Sequence, residues 1–144
     1  MEPVSSRVIG RGKTRLFRLS PDFVAIAPEL RARLEKFRDE HTGEPIGKVA
    51  DHVLWEDDDV RVWEMTLEPG EWTDLHHHQH DYILAIDSGD LVAGIPPKDS
   101  GMDFFVGKIP PQGNTVRVPK GGIEWALNVG TKRYHEILIE LKKT

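Results

Sequence analysis

The sequence predicts a small all-β domain, a barrel or a sandwich, that follows a single helix. From residue 63 onward, apolar and polar residues alternate with the period of two that β-strands have. Turns containing Gly or Pro separate these runs at near-regular intervals. Upstream, residues 29–41 have the spacing of a helix instead. At 144 residues the chain has the usual length of one domain with one hydrophobic core.

The helix is predicted over residues 29–41 from the spacing of its apolar side chains. Leu30, Leu34 and Phe37 recur at helical intervals among Arg, Lys and Glu residues. A proline precedes the segment and a glycine follows it, as is typical of helix boundaries. The residues before the helix are rich in turn formers, and we expect them to form an arm along the domain or a partner subunit.

The strand series begins where Trp63, Met65 and Leu67 alternate with polar residues before a Pro-Gly turn. Further strands are predicted over residues 82–86, 91–95, 104–109, 115–118, 123–129 and 137–141. The chain is therefore expected to comprise an N-terminal arm and helix, residues 1–45, that packs on a β-barrel domain, residues 46–144.

Composition excludes several classes of function. The 24 acidic and 19 basic residues give a net charge of −5 with no basic stripe, so nucleic acid is excluded as a partner. The absence of cysteine excludes disulfides, thiolate metal sites and a cysteine nucleophile. No run approaches the ~18 apolar residues of a membrane span, and the first residues lack the apolar run of a signal peptide. We expect no membrane association and a cytoplasmic protein.

A histidine cluster is the strongest functional signal. Residues 76–80 hold four of the seven histidines. In an extended chain His76, His78 and His80 would project from one face and His77 from the other, where we expect it to be exposed. Imidazoles at such spacing can share one transition metal ion at about 2.0–2.2 Å. An affinity tag or a solvated turn is the alternative for the cluster, and His80 fits a pocket wall or a third ligand equally well.

Around this cluster the sequence resembles the cupin superfamily. The first cupin motif reads Gly, five residues, His-x-His, three or four residues, Glu, six residues, Gly. Gly70, His76, His78, Tyr82 and Gly89 fall on it, with tyrosine in place of the glutamate. The spacing is therefore retained while one metal-ligand position is changed.

The second cupin motif is matched in the same way. It reads Gly, five residues, Pro-x-Gly, two residues, His, three residues, Asn. Gly113, Pro119, Gly121, Glu124 and Asn128 fall on it, with glutamate in place of the histidine. The resemblance extends over about two thirds of the chain. It implies a cupin-type double-stranded β-helix, or jelly-roll, barrel with one N-terminal helix, and it implies a homodimer.

The resemblance also implies a metal site. Carried over residue by residue, it gives His76 and His78 unchanged, Tyr82 in the carboxylate position and Glu124 in the third histidine position. Two histidines and one carboxylate with open positions are the ligands of non-haem Fe(II) oxygenases. The expected cofactor is one divalent transition metal ion: Fe, Mn, Ni or Zn. Tyr82, as a weak ligand or an acid or base, and Glu124 are also the candidate catalytic residues.

The orientation of Glu124 is open from the residues alone. The predicted strand 123–129 has an apolar face containing Trp125 and an opposite face containing Glu124. If the apolar face pointed into the barrel, Glu124 would lie on the surface and the metal would lose its carboxylate. The cupin register implies instead that Glu124 points inward, and that Trp125 points outward against a second subunit or the N-terminal arm.

Two functions agree with these observations. The first is a metal-binding cupin acting as a small-molecule metalloenzyme of the oxygenase, isomerase or lyase type, such as a dioxygenase. The second is a non-catalytic cupin that binds a small ligand or is structural, which the two changed ligand positions favour. Whether the protein is an enzyme is therefore open at this point.

Overall fold

The computed structural model describes residues 17–18 and 22–144. The described residues form eleven strands and one α-helix in two sheets. The elements are β1 (Phe17–Arg18), β2 (Asp22–Phe23), α1 (Pro28–His41), β3 (His52–Glu56), β4 (Val60–Leu67), β5 (His76–His77), β6 (Asp81–Ser88), β7 (Leu91–Ile95), β8 (Phe105–Lys108), β9 (Asn114–Val118), β10 (Ile123–Asn128) and β11 (Tyr134–Leu141). One sheet has the order β1-β9-β6-β11-β4-β3 and the other has the order β2-β8-β7-β10-β5. The predicted all-β fold with one N-terminal helix is confirmed.

Helix α1 packs against the outer side of the five-stranded sheet. It starts with Pro28, whose fixed φ and missing N–H suit the first helical turn. Leu34 and Phe37 are its buried residues, and they join a cluster with Ile95 and Trp125 of the sheet. Complete burial of such side chains contributes about 1.5–3 kcal/mol each. The helix is thereby fixed to strand β10.

The space between the two sheets is filled by a second apolar cluster. Met65, Ile86, Val116 and Leu138 contribute to it from four neighbouring strands of the six-stranded sheet. Burial alternates strictly along β11, so that every second side chain of this strand enters the interior. The buried side chains of β11 therefore line the interior along the whole length of this strand.

Strand β3 was not predicted from the sequence. It pairs with β4 at the edge of the six-stranded sheet, and all of its side chains are exposed. The pairing shifts register between Val53 and Trp55, which is the mark of a β-bulge. An edge strand that is buried on neither face, and that carries a bulge, has no apolar alternation that a sequence pattern could reveal.

The glycines of the two motifs adopt backbone conformations that other residues rarely adopt. Gly70, Gly89, Gly113 and Gly121 all have positive φ, a region that residues with a Cβ rarely adopt. At Gly113 a Cβ would also lie 2.5 Å from the carbonyl oxygen of Ile86. The glycine framework thus fixes the turns that set the strand register.

The motif asparagine has a similar structural role. The buried side chain of Asn128 donates hydrogen bonds to the carbonyl oxygens of Leu67 and Lys132, and it accepts one from the Gly130 amide. It therefore closes the turn after β10 and ties this turn to the end of β4.

The described part of the N-terminal arm lies on the five-stranded sheet. Strand β2 pairs with β8, and the amide of Val24 donates to the carbonyl oxygen of Val106 at 3.0 Å. Val24 and Ile26 pack against the cluster under the helix. The predicted division at residue 45 stays a prediction, and most of the arm lies outside the described residues. Among the described residues, no helix has the length and apolarity that crossing a membrane requires.

Candidate metal centre

His76 and His78 lie on a short extended segment that is held beside β10. His76 is directly opposite Glu124 in the antiparallel pairing of β5 with β10. The amide of His78 donates to the carbonyl oxygen of Gly122 at 2.8 Å, and the Gly121 amide donates to the His78 carbonyl oxygen at 2.8 Å. Both imidazoles are buried, and their ring centroids are 5.0 Å apart.

One ligand atom from each of His76, His78 and Glu124 lies within 4.8 Å of the other two. Three donors bound to one ion at about 2.1 Å would lie no more than about 4.2 Å apart, so small side-chain movements are enough to collect them. The chemistry of the donors, two imidazoles and one carboxylate, suits a divalent transition metal. The residues present therefore fit such an ion.

The ring of His76 is oriented by its neighbours. Its Nδ1 donates to the carbonyl oxygen of Asp74 at 2.9 Å and lies 3.2 Å from Thr73 Oγ1. Because the proton is on Nδ1, Nε2 carries the free lone pair. Burial, followed by the neighbouring His78, lowers the pKa of His76, so that the ring is neutral and able to bind a metal.

His78 has incomplete hydrogen bonding. Its Nδ1 is buried without a partner among the described residues. Its Nε2 lies 3.4 Å from Glu124 Oε1, which is longer than the usual 2.7–3.2 Å of an N–H···O hydrogen bond. An unpaired buried polar atom costs about 1–3 kcal/mol. The long contact of Nε2 with a carboxylate, rather than the unpaired Nδ1, is the second indication of a site that fits a cation.

Glu124 and Trp125 point to opposite sides of β10. Glu124 faces His78, whereas Trp125 is fully buried under α1, near Phe37. The Trp125 indole N–H donates to Glu44 Oε1 at 3.1 Å. Trp125 therefore points outward, as the cupin register implied, but the chain's own helix covers it. It is not exposed to a second subunit, so the expectation that Trp125 forms part of a dimer interface does not hold in this structure.

Tyr82 lies beside the centre. Its ring is 5.0 Å from the His78 ring and nearly perpendicular to it. Burial and then the charge of Glu140 raise the pKa of Tyr82, so that the phenol keeps its proton. Its roles as weak ligand and as acid or base stay predictions.

His80 belongs to a different cluster from the three clustered donors. Its Nδ1 is 2.6 Å from Glu140 Oε2. The buried Glu140 also accepts hydrogen bonds from Arg61 at 3.3 Å and from the Trp63 indole at 3.0 Å. Arg61 therefore helps to neutralise a buried carboxylate, which is also the partner of His80. The fourth histidine of the run, His77, is half-buried instead of exposed.

The pair of Tyr134 and Glu136 was missed by the sequence analysis. Both side chains are buried on the inner face of β11, and the Tyr134 hydroxyl donates to Glu136 Oε1. Burial raises the pKa of Glu136 to about 7, against the opposing effect of the Tyr134 hydrogen bond. The charges of His78 and Glu124 also act on this carboxylate. Alternation along β11 could have revealed this pair. Residues 134, 136 and 140 lie on the same face of the strand as the apolar Leu138 and are therefore expected to point inward.

Two solved structures resemble the chain in fold. A cupin domain from Bordetella pertussis is 20% identical, with a TM-score of 0.57, and the match covers 69% of this chain and 99% of that one. A protein with a double-stranded β-helix domain from Klebsiella pneumoniae is also 20% identical, with a TM-score of 0.51 and coverage of 73% and 86%. Comparison with protein-family models and with curated proteins gave no match.

The two facing sheets, the motif glycines and these structural neighbours define a protein of the jelly-roll class. More particularly, the chain has the double-stranded β-helix fold of the cupin superfamily.

Proposed function

We propose that this protein is a metal-binding cupin in which His76, His78 and Glu124 hold one divalent transition metal ion: Fe, Mn, Ni or Zn. The observation that supports the proposal is the convergence of three donor atoms within 4.8 Å on buried or half-buried side chains. A divalent ion between His78 Nε2 and Glu124 Oε1 would bind both atoms, which at 3.4 Å make only a long contact with each other.

The function proposed for this centre is that of a small-molecule metalloenzyme of the oxygenase, isomerase or lyase type. When bound, the ion supplies a Lewis acid or a binding site for O2 or water. The protein's own residues orient the ligands, exclude water and hold a proton. Tyr82 is proposed as a weak ligand or as an acid or base, because its ring lies 5.0 Å from the His78 ring. Glu124 is the proposed carboxylate ligand.

Elemental analysis of the untagged protein tests the metal site. We expect about one transition metal ion per chain, and its loss in His76→Ala and in His78→Ala. His77→Ala is the matched control, because His77 belongs to the same run but not to the donor group. The proposal fails if the folded wild type refuses Fe, Mn, Ni and Zn, or if the two alanine variants retain the metal.

A non-catalytic cupin that binds a small ligand is the second candidate. It is favoured by the presence of Tyr82 and Glu124 at two positions where the cupin motifs have Glu and His. Product analysis after incubation with a bound small molecule separates the two candidates. An unchanged ligand that remains bound in Glu124→Gln supports binding without catalysis, whereas a changed ligand excludes it.

The proposed molecular context is a cytoplasmic homodimer that binds a small molecule and does not bind nucleic acid. Edge strand β3 supports a dimer, because it exposes Val53, Leu54 and Trp55 to 42%, 50% and 56%. Twofold antiparallel pairing of β3 about Leu54 would bring His52 of one copy opposite Glu56 of the other.

A further inference from the structure

The connection between α1 and β3 is bonded to the residues that precede β5. We call residues 44–48 of this connection the strap. Its first amide, that of Glu44, donates to the carbonyl oxygen of His41 at the end of α1, at 3.2 Å. Val49 and Ala50, which follow the strap, are buried in the apolar cluster between the sheets. The strap is thereby fixed to the helix at one end and to the interior at the other.

Consecutive amides of the strap hold the residues immediately before His76. The Gly47 amide donates to the carbonyl oxygen of Leu75 at 2.7 Å, and the Lys48 amide donates to Asp74 Oδ2 at 3.1 Å. Leu75 is itself buried in the cluster under α1. Each such hydrogen bond contributes about 0.5–1.5 kcal/mol. The strap therefore fixes both the backbone and the Asp74 side chain ahead of a proposed metal ligand.

The close approach of the strap depends on the absence of a side chain at position 47. A Cβ on Gly47 would lie 2.5 Å from Asp74 Oδ2, 2.7 Å from Asp74 Cβ and 2.8 Å from Asp74 Cγ. Carbon atoms that are not bonded to each other normally stay about 3.5–4.0 Å apart. A larger residue would push the strap away from Asp74, so that the two amides could not keep both hydrogen bonds.

Asp74 connects the strap to the ring of His76. Its carboxylate accepts from the Lys48 amide, and its backbone carbonyl oxygen accepts from His76 Nδ1 at 2.9 Å. Because a carbonyl oxygen only accepts hydrogen bonds, this contact requires the His76 proton on Nδ1 and leaves the lone pair on Nε2. The backbone of Asp74 thus selects the tautomer, while its side chain fixes where that backbone lies.

The strap also contacts the strand that carries the carboxylate donor. Glu44 Oε1 accepts a hydrogen bond from the Trp125 indole at 3.1 Å, and Trp125 is adjacent to Glu124 on β10. Strand β10 pairs with β5 at this point, with Glu124 opposite His76. One short segment is therefore bonded next to a proposed ligand on each of the two strands.

We propose that Asp74 is a positioning residue of the metal site, which is held by the strap and presents Nε2 of His76 to the ion. This inference rests on the proposed metal site. Asp74 is not one of the three clustered donors, so it acts through His76 and not on the ion directly. Neither cupin motif contains Asp74 or any residue of the strap.

Asp74→Ala tests this role, with Asp74→Asn as the conservative variant. Asparagine keeps an oxygen that can accept from the Lys48 amide, whereas alanine removes it. We expect Asp74→Ala to lower the affinity for Zn²⁺ by about tenfold or more in chelator competition, as loss of such a partner typically does. Asp74→Asn should bind almost as tightly as the wild type. Lys48→Ala is the matched control, because the donor is the backbone amide and not the side chain.

The second measurement is the tautomer of His76 in the metal-free protein. Two-bond proton–nitrogen correlation spectroscopy at about pH 8, where an ordinary histidine is neutral, identifies the ring nitrogen that carries the proton. We expect a single Nδ1–H form in the wild type and in Asp74→Asn, and a mixture with the Nε2–H form in Asp74→Ala. Gly47→Ala should give a similar mixture, because it displaces the strap while Asp74 is unchanged. This variant provides a reading if Asp74→Ala does not fold.

The failures of the two proposals are distinguishable. A folded wild type that refuses Zn²⁺ together with Fe, Mn and Ni, or a His76→Ala variant that binds Zn²⁺ equally well, contradicts the metal site. The tautomer measurement then still decides whether Asp74 orients the ring. The positioning proposal alone is overturned if folded Asp74→Ala keeps both the affinity and the single tautomer, or if the wild-type ring carries its proton on Nε2. It is equally overturned if Asp74→Asn is as weak as Asp74→Ala, because the charge of Asp74 would then be responsible.

Discussion

The imidazole of His78 and the carboxylate of Glu124 face each other at 3.4 Å, although 46 positions separate them in the chain. The antiparallel pairing of β5 with β10, in which His76 lies directly opposite Glu124, brings the two segments together.

Glu124→Gln should weaken metal binding while the fold is retained. The amide keeps the shape of the side chain but loses the negative charge that partly compensates the ion. We expect the affinity to fall by at least about tenfold, which is about 1.4 kcal/mol. Competition with a chromophoric chelator measures it, and Glu68→Gln on the surface serves as control. Equal affinities of Glu124→Gln and wild type would remove Glu124 from the ligand set.

Thr73→Val should weaken metal binding through His76. Thr73 Oγ1 accepts a hydrogen bond from the Ala126 amide at 3.0 Å and lies 3.2 Å from His76 Nδ1. Loss of this oxygen leaves the ring less well oriented, and such partners are typically worth about 10–100-fold in metal affinity. The same chelator competition measures the loss, and Thr73→Ser should restore binding. A Thr73→Ser variant as weak as Thr73→Val would indicate a packing effect instead.

Glu136 should make the metal-free protein less stable as the pH rises. Its pKa is about 7 in the folded protein, above its usual value of about 4.5. The folded state therefore binds more protons than the unfolded state between these values, and the free energy of unfolding decreases with pH across this window. The total change should be on the order of 3 kcal/mol.

Urea unfolding of the metal-free protein between about pH 4.5 and pH 8 measures this dependence. Glu136→Gln cannot titrate at this position, so its stability should vary less over the same window. Parallel curves for the variant and the wild type would contradict the assignment of this dependence to Glu136.

Trp55→Asp should convert the proposed dimer into a monomer. Trp55 is 56% exposed on an edge strand, and a carboxylate there would oppose both apolar contact and pairing with a second copy. Light scattering should show a fall from twice the chain mass to the chain mass. Met102→Asp, at another exposed apolar residue, should not change the mass. A wild type that is already monomeric would contradict the dimer.

Sequence spacing was sufficient to predict that three of the candidate ligand side chains lie close together. His76, His78 and Glu124 converge because a period of two fixes the facing of side chains in strands, and because glycines with positive φ fix the turns. These are local properties, and a single sequence records them.

What the sequence did not reveal depends on tertiary contacts. The predicted start of the last strand at residue 137 excluded Glu136, because a charged residue is seldom read as inward-facing. The cover of Trp125 by α1 depends on packing between distant segments. The edge strand β3 has no buried face, so its side chains carry no periodic signal.

Glu124 and Trp125 are adjacent on β10, and one faces the ligand cluster while the other lies under α1. The backbone that orients the carboxylate is therefore held from its other side by an apolar contact that is not part of the proposed metal site. If the proposed site binds a metal, we expect substitutions of the helix residue Phe37 to change the metal affinity without altering any of the proposed ligands.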